Sequence, residues 1–285
     1  FQPVGQPFPP AGFRRMADGK YAPVDARGNQ VGPLHSQAPP NFPGSPAWLI
    51  GVRNSQELRE AHAACQSEVV AISMAIAQSK PLYETLVAMR NGPGWEHLNT
   101  TRQRIVLCSL RDAELSGVAL SDDDKPRFNA NQQRLAELST SFSNNVLDAT
   151  KAFSMTLTKE DEVSGLPDSL LDRTAASARS VGETDATAER GPWRITLDFP
   201  CFGPFLKYSA RRDLREQIYR AYITRASSGE TDNGPNIEEI LKLRCDKAAF
   251  LGFTSYADLS LAEKMASSPA AVRTLLEELR QVSRS

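Results

Sequence analysis

The chain has 285 residues, 40% apolar and 24% charged, with a formal net charge of −1. That balance argues against a dominant nucleic-acid or anionic-membrane partner, since both recruit a clear cationic excess. No apolar run approaches the roughly 20 residues needed to cross a bilayer, so no membrane span is predicted.

The length suits one large domain or two small ones. Cys65, Cys108, Cys201 and Cys245 are widely separated, with no CxxC or zinc-ribbon spacing. Reduced thiols in a reducing compartment are expected. The chain starts at Phe1, without a charged n-region and apolar h-region, so no signal peptide is visible and a fragment or processed chain is expected.

Residues 1–47 hold ten prolines (Pro3, Pro7, Pro9, Pro10, Pro23, Pro33, Pro39, Pro40, Pro43 and Pro46) with glycines between them. Proline removes hydrogen-bond donors and glycine raises the entropy cost of ordering, so this segment is expected to be disordered or extended, or foreign to the fold. From Arg53 onward the pattern is helical. Asn54 or Ser55 is a cap candidate for a first helix running through Ile76. A second starts near Pro81 and ends at Gly92, and a third spans Thr100 to Gly117, where glycine supplies a stop.

Ser121 and the triple aspartate Asp122, Asp123 and Asp124 open the fourth and longest helix. The acids there suit the positive end of the helix dipole better than a metal. Leu135, Leu138, Phe142, Val146, Ala149 and Phe153 fall within about 40° of one line. Two adjacent amides interrupt this run. Asn144 lies opposite the stripe, solvated or lining a groove. Asn145 lies about 60° from Phe142, at the stripe's margin, where it must find a hydrogen-bond partner on a neighbouring helix.

A short helix is predicted near Pro167. WRITLDF, residues 193–199, alternates as a strand, and FGPFLKYS is its candidate hairpin partner, limited to an edge by Pro204. Helices resume at Ala210. Leu214, Ile218, Ala221 and Tyr222 share one face, and Arg212, Glu216 and Arg220 form an i,i+4 ladder. After a glycine-rich loop come three more helices, the first stopped by Gly252. Thr254 and Ser268 are cap candidates for the other two. No strand–helix alternation points to a parallel sheet.

The chemistry visible in single residues is sparse. His35, His62 and His97 form no HExxH and no i,i+4 pair. There is no GxxxxGK[ST], GxGxxG or GxSxG. Cys201 reads as a small apolar residue near a strand end. The residues alone describe a mostly helical protein without a visible catalytic centre.

Three stretches are more specific together: LRDAELSGVAL followed by LAELSTSFSNNVLDATKAF; LREQIYRAYITRASSGETDNGPNIEEILKLRCDKAAFLGF; and YADLSLAEKMASSPAAV. With the intervening ITLDFP, their order and spacing resemble the thimet oligopeptidase family of zinc metallopeptidases, most closely its oligopeptidase A branch. The similarity runs from about Val52 to Ser285.

The resemblance implies a mainly α fold, here a multi-helix lobe of a two-lobed, channel-containing peptidase, with a small β-hairpin near 193–208. It implies residues 48–285 as a helical amino-terminal region that stops before the catalytic zinc domain. Family members cleave short peptides, and their zinc is held by HExxH and a distant glutamate, with metal-activated water as nucleophile. No catalytic or metal residue carries over, so zinc and the carboxyl-terminal catalytic domain are expected outside this segment. The segment itself is expected to be an inactive channel wall. Arg220, Tyr222 and Arg225 are candidate peptide contacts, being polar or aromatic on a resembling helix. The alternative is a non-catalytic helical module that binds peptides or proteins. The family implies a cytoplasmic site, or else a mitochondrion or chloroplast.

Overall fold

In the computed structural model the described residues are strands Gly12–Arg15 (β1) and Tyr21–Val24 (β2) and residues 54–284. The remainder of the proline-rich 1–47 segment lies outside the described residues. The chain divides into two units, Phe1–Ile76 and Ala77–Ser285. In the first, β1 and β2 pair antiparallel, and Gln56–Ala77 forms α1. Ser55 Oγ accepts from the Leu58 N–H at 3.2 Å, the expected cap.

The second unit carries α2 (Lys80–Asn91), α3 (Thr100–Leu115), α4 (Asp124–Ala152), β3 (Ser154–Leu157), α5 (Asp168–Arg179) and β4 (Trp193–Thr196). It continues with α6 (Phe199–Tyr208), α7 (Arg212–Ile223), α8 (Gly234–Phe250), α9 (Tyr256–Leu261) and α10 (Pro269–Arg284). The fold is mainly α, with small antiparallel strand pairs, as the sequence reading expected.

The helix boundaries follow local chemistry. Asn99 caps α3 by accepting from the Arg102 N–H, and Ser121 Oγ accepts from the Asp124 N–H at 3.1 Å. Gly117 and Gly252 sit at φ +84° and +76°, the left-handed conformation that closes α3 and α8. Val118 N–H reaches back to Ala113 O, and Phe253 N–H to Ala248 O. Ser268 caps α10 as expected, but the cap of α9 is Ser255 rather than Thr254, its Oγ accepting from Asp258 N–H.

One assignment needs correction. The strand at 193–196 is present, but its partner is β3 and not the 199–208 segment, which is helical. In β3–β4, Met155 pairs with Ile195 and Leu157 with Trp193, so all four side chains share one buried face. In FPCFGPFLKY the buried residues are Cys201, Phe202 and Phe205, a helical spacing, and Pro200 lies in the first turn, where a missing N–H costs nothing. α5 adds Leu170, Ala175 and Ala178 to this core and α7 adds Ile218.

α4 and α8 form the other main packing unit. Going up α4, partners descend α8: Phe128 meets Phe250 edge-on, Asn131 Nδ2 donates to Leu243 O at 2.9 Å, and Arg134 forks onto Glu239 at 2.7 and 2.8 Å. At the end sits Asn233, only 2% exposed. Its Oδ1 accepts from Asn145 Nδ2 at 3.0 Å and from Asn236 Nδ2 at 2.9 Å. Its Nδ2 donates to Phe142 O at 3.1 Å, and its N–H to Ala226 O at 3.0 Å. Asn145 is therefore the helix-pinning amide its position implied. Lys247, half-buried in the same seam, donates to Gln132 Oε1 at 2.7 Å, and burial pushes its ammonium below the usual lysine range.

Asn233→Leu removes donor and acceptor together and strands the Asn145 and Asn236 amides. It is expected to lower the unfolding free energy by about 1–3 kcal/mol, and Asn145→Leu by less, both read from urea midpoints at constant m-value.

Candidate functional site

The candidate contacts lie on α7 and just beyond it. The α6–α7 link is held firmly. Ser209, buried, accepts from the Arg211 N–H, and the Arg215 guanidinium donates to Ser209 O. Ala210 N–H bonds Ser164 O at 2.9 Å. Arg211 bridges Asp213 and Asp161 at 2.8 and 2.9 Å. α7 then turns Ile218 fully into the core, with Leu214, Ala221 and Tyr222 packed on it. Arg212, Glu216, Tyr219, Arg220 and Ile223 remain on the exposed side.

The structure brings together two of the three candidates. The Tyr222 ring stacks on Phe202 of α6, with centroids 4.0 Å apart and planes 15° from parallel. The Arg225 guanidinium carbon lies 3.8 Å from the same Tyr222 centroid. Two groups that close to one centroid cannot share a face, so Phe202, Tyr222 and Arg225 form a three-layer stack. Arg225 also donates to Tyr222 O. Arg220 is separate from this stack. It faces outward and forms an ion pair with Glu216 at 2.8 Å, a solvated i,i+4 contact of small energetic weight.

Sequence reasoning missed Phe202, because its segment was read as a strand. It also missed an open groove of about 590 Å³ lined by Leu206, Arg212, Arg215, Glu216 and Tyr219. Two of its charged groups are engaged, Arg215 with Ser209 O and Glu216 with Arg220. The Arg212 guanidinium makes no hydrogen bond or ion pair among the described residues. It is the groove's available cation, beside a half-exposed tyrosine ring and an apolar floor. The helical spacing of the α6 side chains was the signal that would have placed Leu206 there.

No group of three or more His, Cys, Asp or Glu side chains among the described residues is arranged to hold a metal. His62 lies on α1 and His97 ends a short 3₁₀ turn at Trp95–His97, while His35 lies outside the described residues. Among the described residues the donor set does not fit a zinc ion, which needs three or four such ligands in one place. All four cysteines are free thiols. Cys201 is buried, and burial pushes its thiol above the ordinary value, the opposite of an activated nucleophile. No helix among the described residues is long and apolar enough to cross a membrane.

Comparison with known proteins gives this surface its context. Residues 44–125 match the family profile "Neurolysin/Thimet oligopeptidase, N-terminal domain", and residues 205–285 match "Peptidase family M3". The chain is 46% identical over 235 residues to the probable cytosolic oligopeptidase A of Arabidopsis thaliana, covering 82% of this chain and 33% of that protein. Identity to the same plant's organellar (chloroplastic/mitochondrial) oligopeptidase A is also 46%, covering 82% of this chain and 30% of the relative. Oligopeptidase A of Escherichia coli (strain K12) is 39% identical over 241 residues, covering 83% and 34%. Profiles and relatives agree in what this chain is similar to: peptidase family M3 and its oligopeptidase A members. It spans about a third of the length of these oligopeptidase A relatives. The α7 stack and groove both reach into the stretch that the M3 profile matches.

The stack ties α7 to α6 whatever else it does. A double-mutant cycle with Tyr222→Leu and Arg225→Gln is expected to give a coupling energy of about 0.5–2 kcal/mol, the range for a cation held on a partly desolvated ring. Additive unfolding free energies would deny the contact.

Proposed function

We propose that this chain is the helical amino-terminal region, residues 48–285, of a zinc-dependent oligopeptidase that hydrolyses short peptides, and that it forms one wall of the peptide-binding channel. The supporting observation is 39–46% identity to oligopeptidase A proteins over more than four-fifths of the chain, together with the two family profiles. Among the described residues no cluster of ligands is arranged for zinc, and the proposal assigns the metal to polypeptide outside this segment. No step of the hydrolysis is assigned to a residue of this chain. What the segment supplies is surface: Arg220 on the outward face of α7, and Arg225 with the Tyr222 ring it covers at the end of that helix, are the proposed peptide contacts. The relatives' printed names span cytosolic and organellar forms. For this chain a cytoplasmic site is proposed, with mitochondrion or chloroplast as the alternative.

The second reading is a helical module that binds peptides or proteins without cleaving them. It is favoured by the open groove beside Tyr219. The transcript beyond Ser285 separates the two. A continuation bearing HExxH supports the peptidase, and a stop codon supports the module.

Two measurements follow. The purified segment, supplied with zinc, is expected to leave a short fluorogenic peptide intact, and chelator-sensitive hydrolysis would overturn the assignment of the metal to other polypeptide. In a complete enzyme carrying this segment, Arg220→Ala is expected to raise KM severalfold with kcat unchanged, the signature of binding shared by ground and transition states. Unchanged KM would remove Arg220 from the channel surface.

A further inference from the structure

A second recess carries more cationic than anionic side chains. It measures about 410 Å³ and opens between α5, β4 and the first turn of α6. Arg173 and Ser177 line it from one face of α5, at i,i+4 spacing. Arg194 and Thr196 line it from β4, on the side opposite the buried Trp193 and Ile195. Asp198 and Cys201 complete it at the start of α6.

The hydrogen bonds leave its cations largely free. Arg194 Nη1 donates to Ser177 Oγ at 3.2 Å, a neutral acceptor. The Arg173 guanidinium makes no hydrogen bond or ion pair among the described residues. The recess has one carboxylate, that of Asp198, which accepts from Thr196 Oγ1 at 3.2 Å. Two guanidinium groups therefore face one carboxylate across a partly enclosed space. The Ser177 hydroxyl, accepting from Arg194, still has its own hydrogen to donate. Guanidinium forks match the planar or tetrahedral oxygens of carboxylates and phosphates, and partial enclosure strengthens that attraction over its value in water. The volume falls within the range of small-molecule sites.

We propose that this recess is an oxyanion site, in which Arg173 and Arg194 hold a carboxylate or phosphate group with Ser177 as a third donor. The inference does not depend on the peptidase reading, since its residues lie on α5 and β4 and not on the α7 surface.

The test is isothermal titration of the full chain with three probes: inorganic phosphate, a dipeptide with a free carboxyl end, and the same dipeptide amidated. Saturable binding of phosphate or of the free dipeptide is expected, with the amidated form binding no better than background. Phosphate alone would identify a phosphate-bearing ligand, the free dipeptide alone a peptide carboxylate, and both a general oxyanion site. Arg194→Gln and Arg173→Gln should each weaken binding about tenfold or more, as the loss of one charged hydrogen bond predicts, and Arg173→Lys should restore part of it. Far-UV circular dichroism and urea midpoints of each variant separate lost binding from lost folding. No saturable binding of either anion, or an affinity unchanged in the double glutamine variant with its fold intact, would overturn the proposal.

Discussion

The structure depends most on one buried amide. Asn233 sits where three pieces of chain converge: the end of the α4 stripe, the loop that follows α7, and the first turn of α8. A side chain amide at 2% exposure has no water to turn to, so each of its groups must be met by protein. Phe142 O, Asn145 and Asn236 meet them. The consequence is positional. The backbone N–H of Asn233 closes back on Ala226 O, and Ala226 itself is held at φ +53°, a conformation non-glycine residues avoid. That closure fixes the chain immediately after Arg225. The stack on α7 is thus anchored twice, through Phe202 to the β3–β4 core and through the Ala226–Asn233 loop to the α4–α8 pair.

Much of this was legible in the residues, for reasons that differ element by element. The α4 stripe of Leu138, Phe142 and Val146 follows from the 3.6-residue period alone. The margin position of Asn145 followed from the same arithmetic, and with it the need for a partner. Which partner was not legible, because Asn233 is far away in sequence and only the antiparallel approach of α8 brings it near. The strand at Trp193–Thr196 was equally visible from its alternation. The sequence offers the neighbouring 202–209 segment as its hairpin partner, whereas the sheet closes on Ser154–Leu157. Pro204 suggests a limit on a strand, yet it stands inside a helix whose apolar spacing and Pro200 are the better evidence.

The surface on α7 shows where sequence patterns stop discriminating. Arg212, Arg215 and Arg220 look alike on paper, three cations along one amphipathic helix. In the structure they have three fates. Arg215 is consumed by a backbone carbonyl, Arg220 by Glu216, and Arg212 is left open to the groove. The Arg220–Glu216 pair lies within the helix and is readable from its i,i+4 spacing, whereas the fate of Arg215 is set by the tightly bonded Ser209–Arg211 link outside it. Tyr222 illustrates the same point in the apolar direction. Its helical position placed it near the core face, but its stacking on Phe202 required knowing that 199–208 is helical.

The proposed division of labour also accounts for apolar surface that the described residues leave uncovered. Leu275, Leu276 and Leu279 on α10 are each more than half exposed, as is Leu241 on α8, and Val282 is 76% exposed. An amphipathic helix buries such a stripe when a partner is present, because each leucine removed from water contributes roughly 1.5–3 kcal/mol. Scattered apolar exposure is ordinary, but a line of leucines on one face of α10 is not. The chain spans about a third of its oligopeptidase A relatives, so the proposed reading gives this stripe a natural cover in the polypeptide that also carries the metal. On that reading the same contact joins this segment to the rest of the enzyme, and the amphipathic pattern of α10 is the part of the sequence written for that joint.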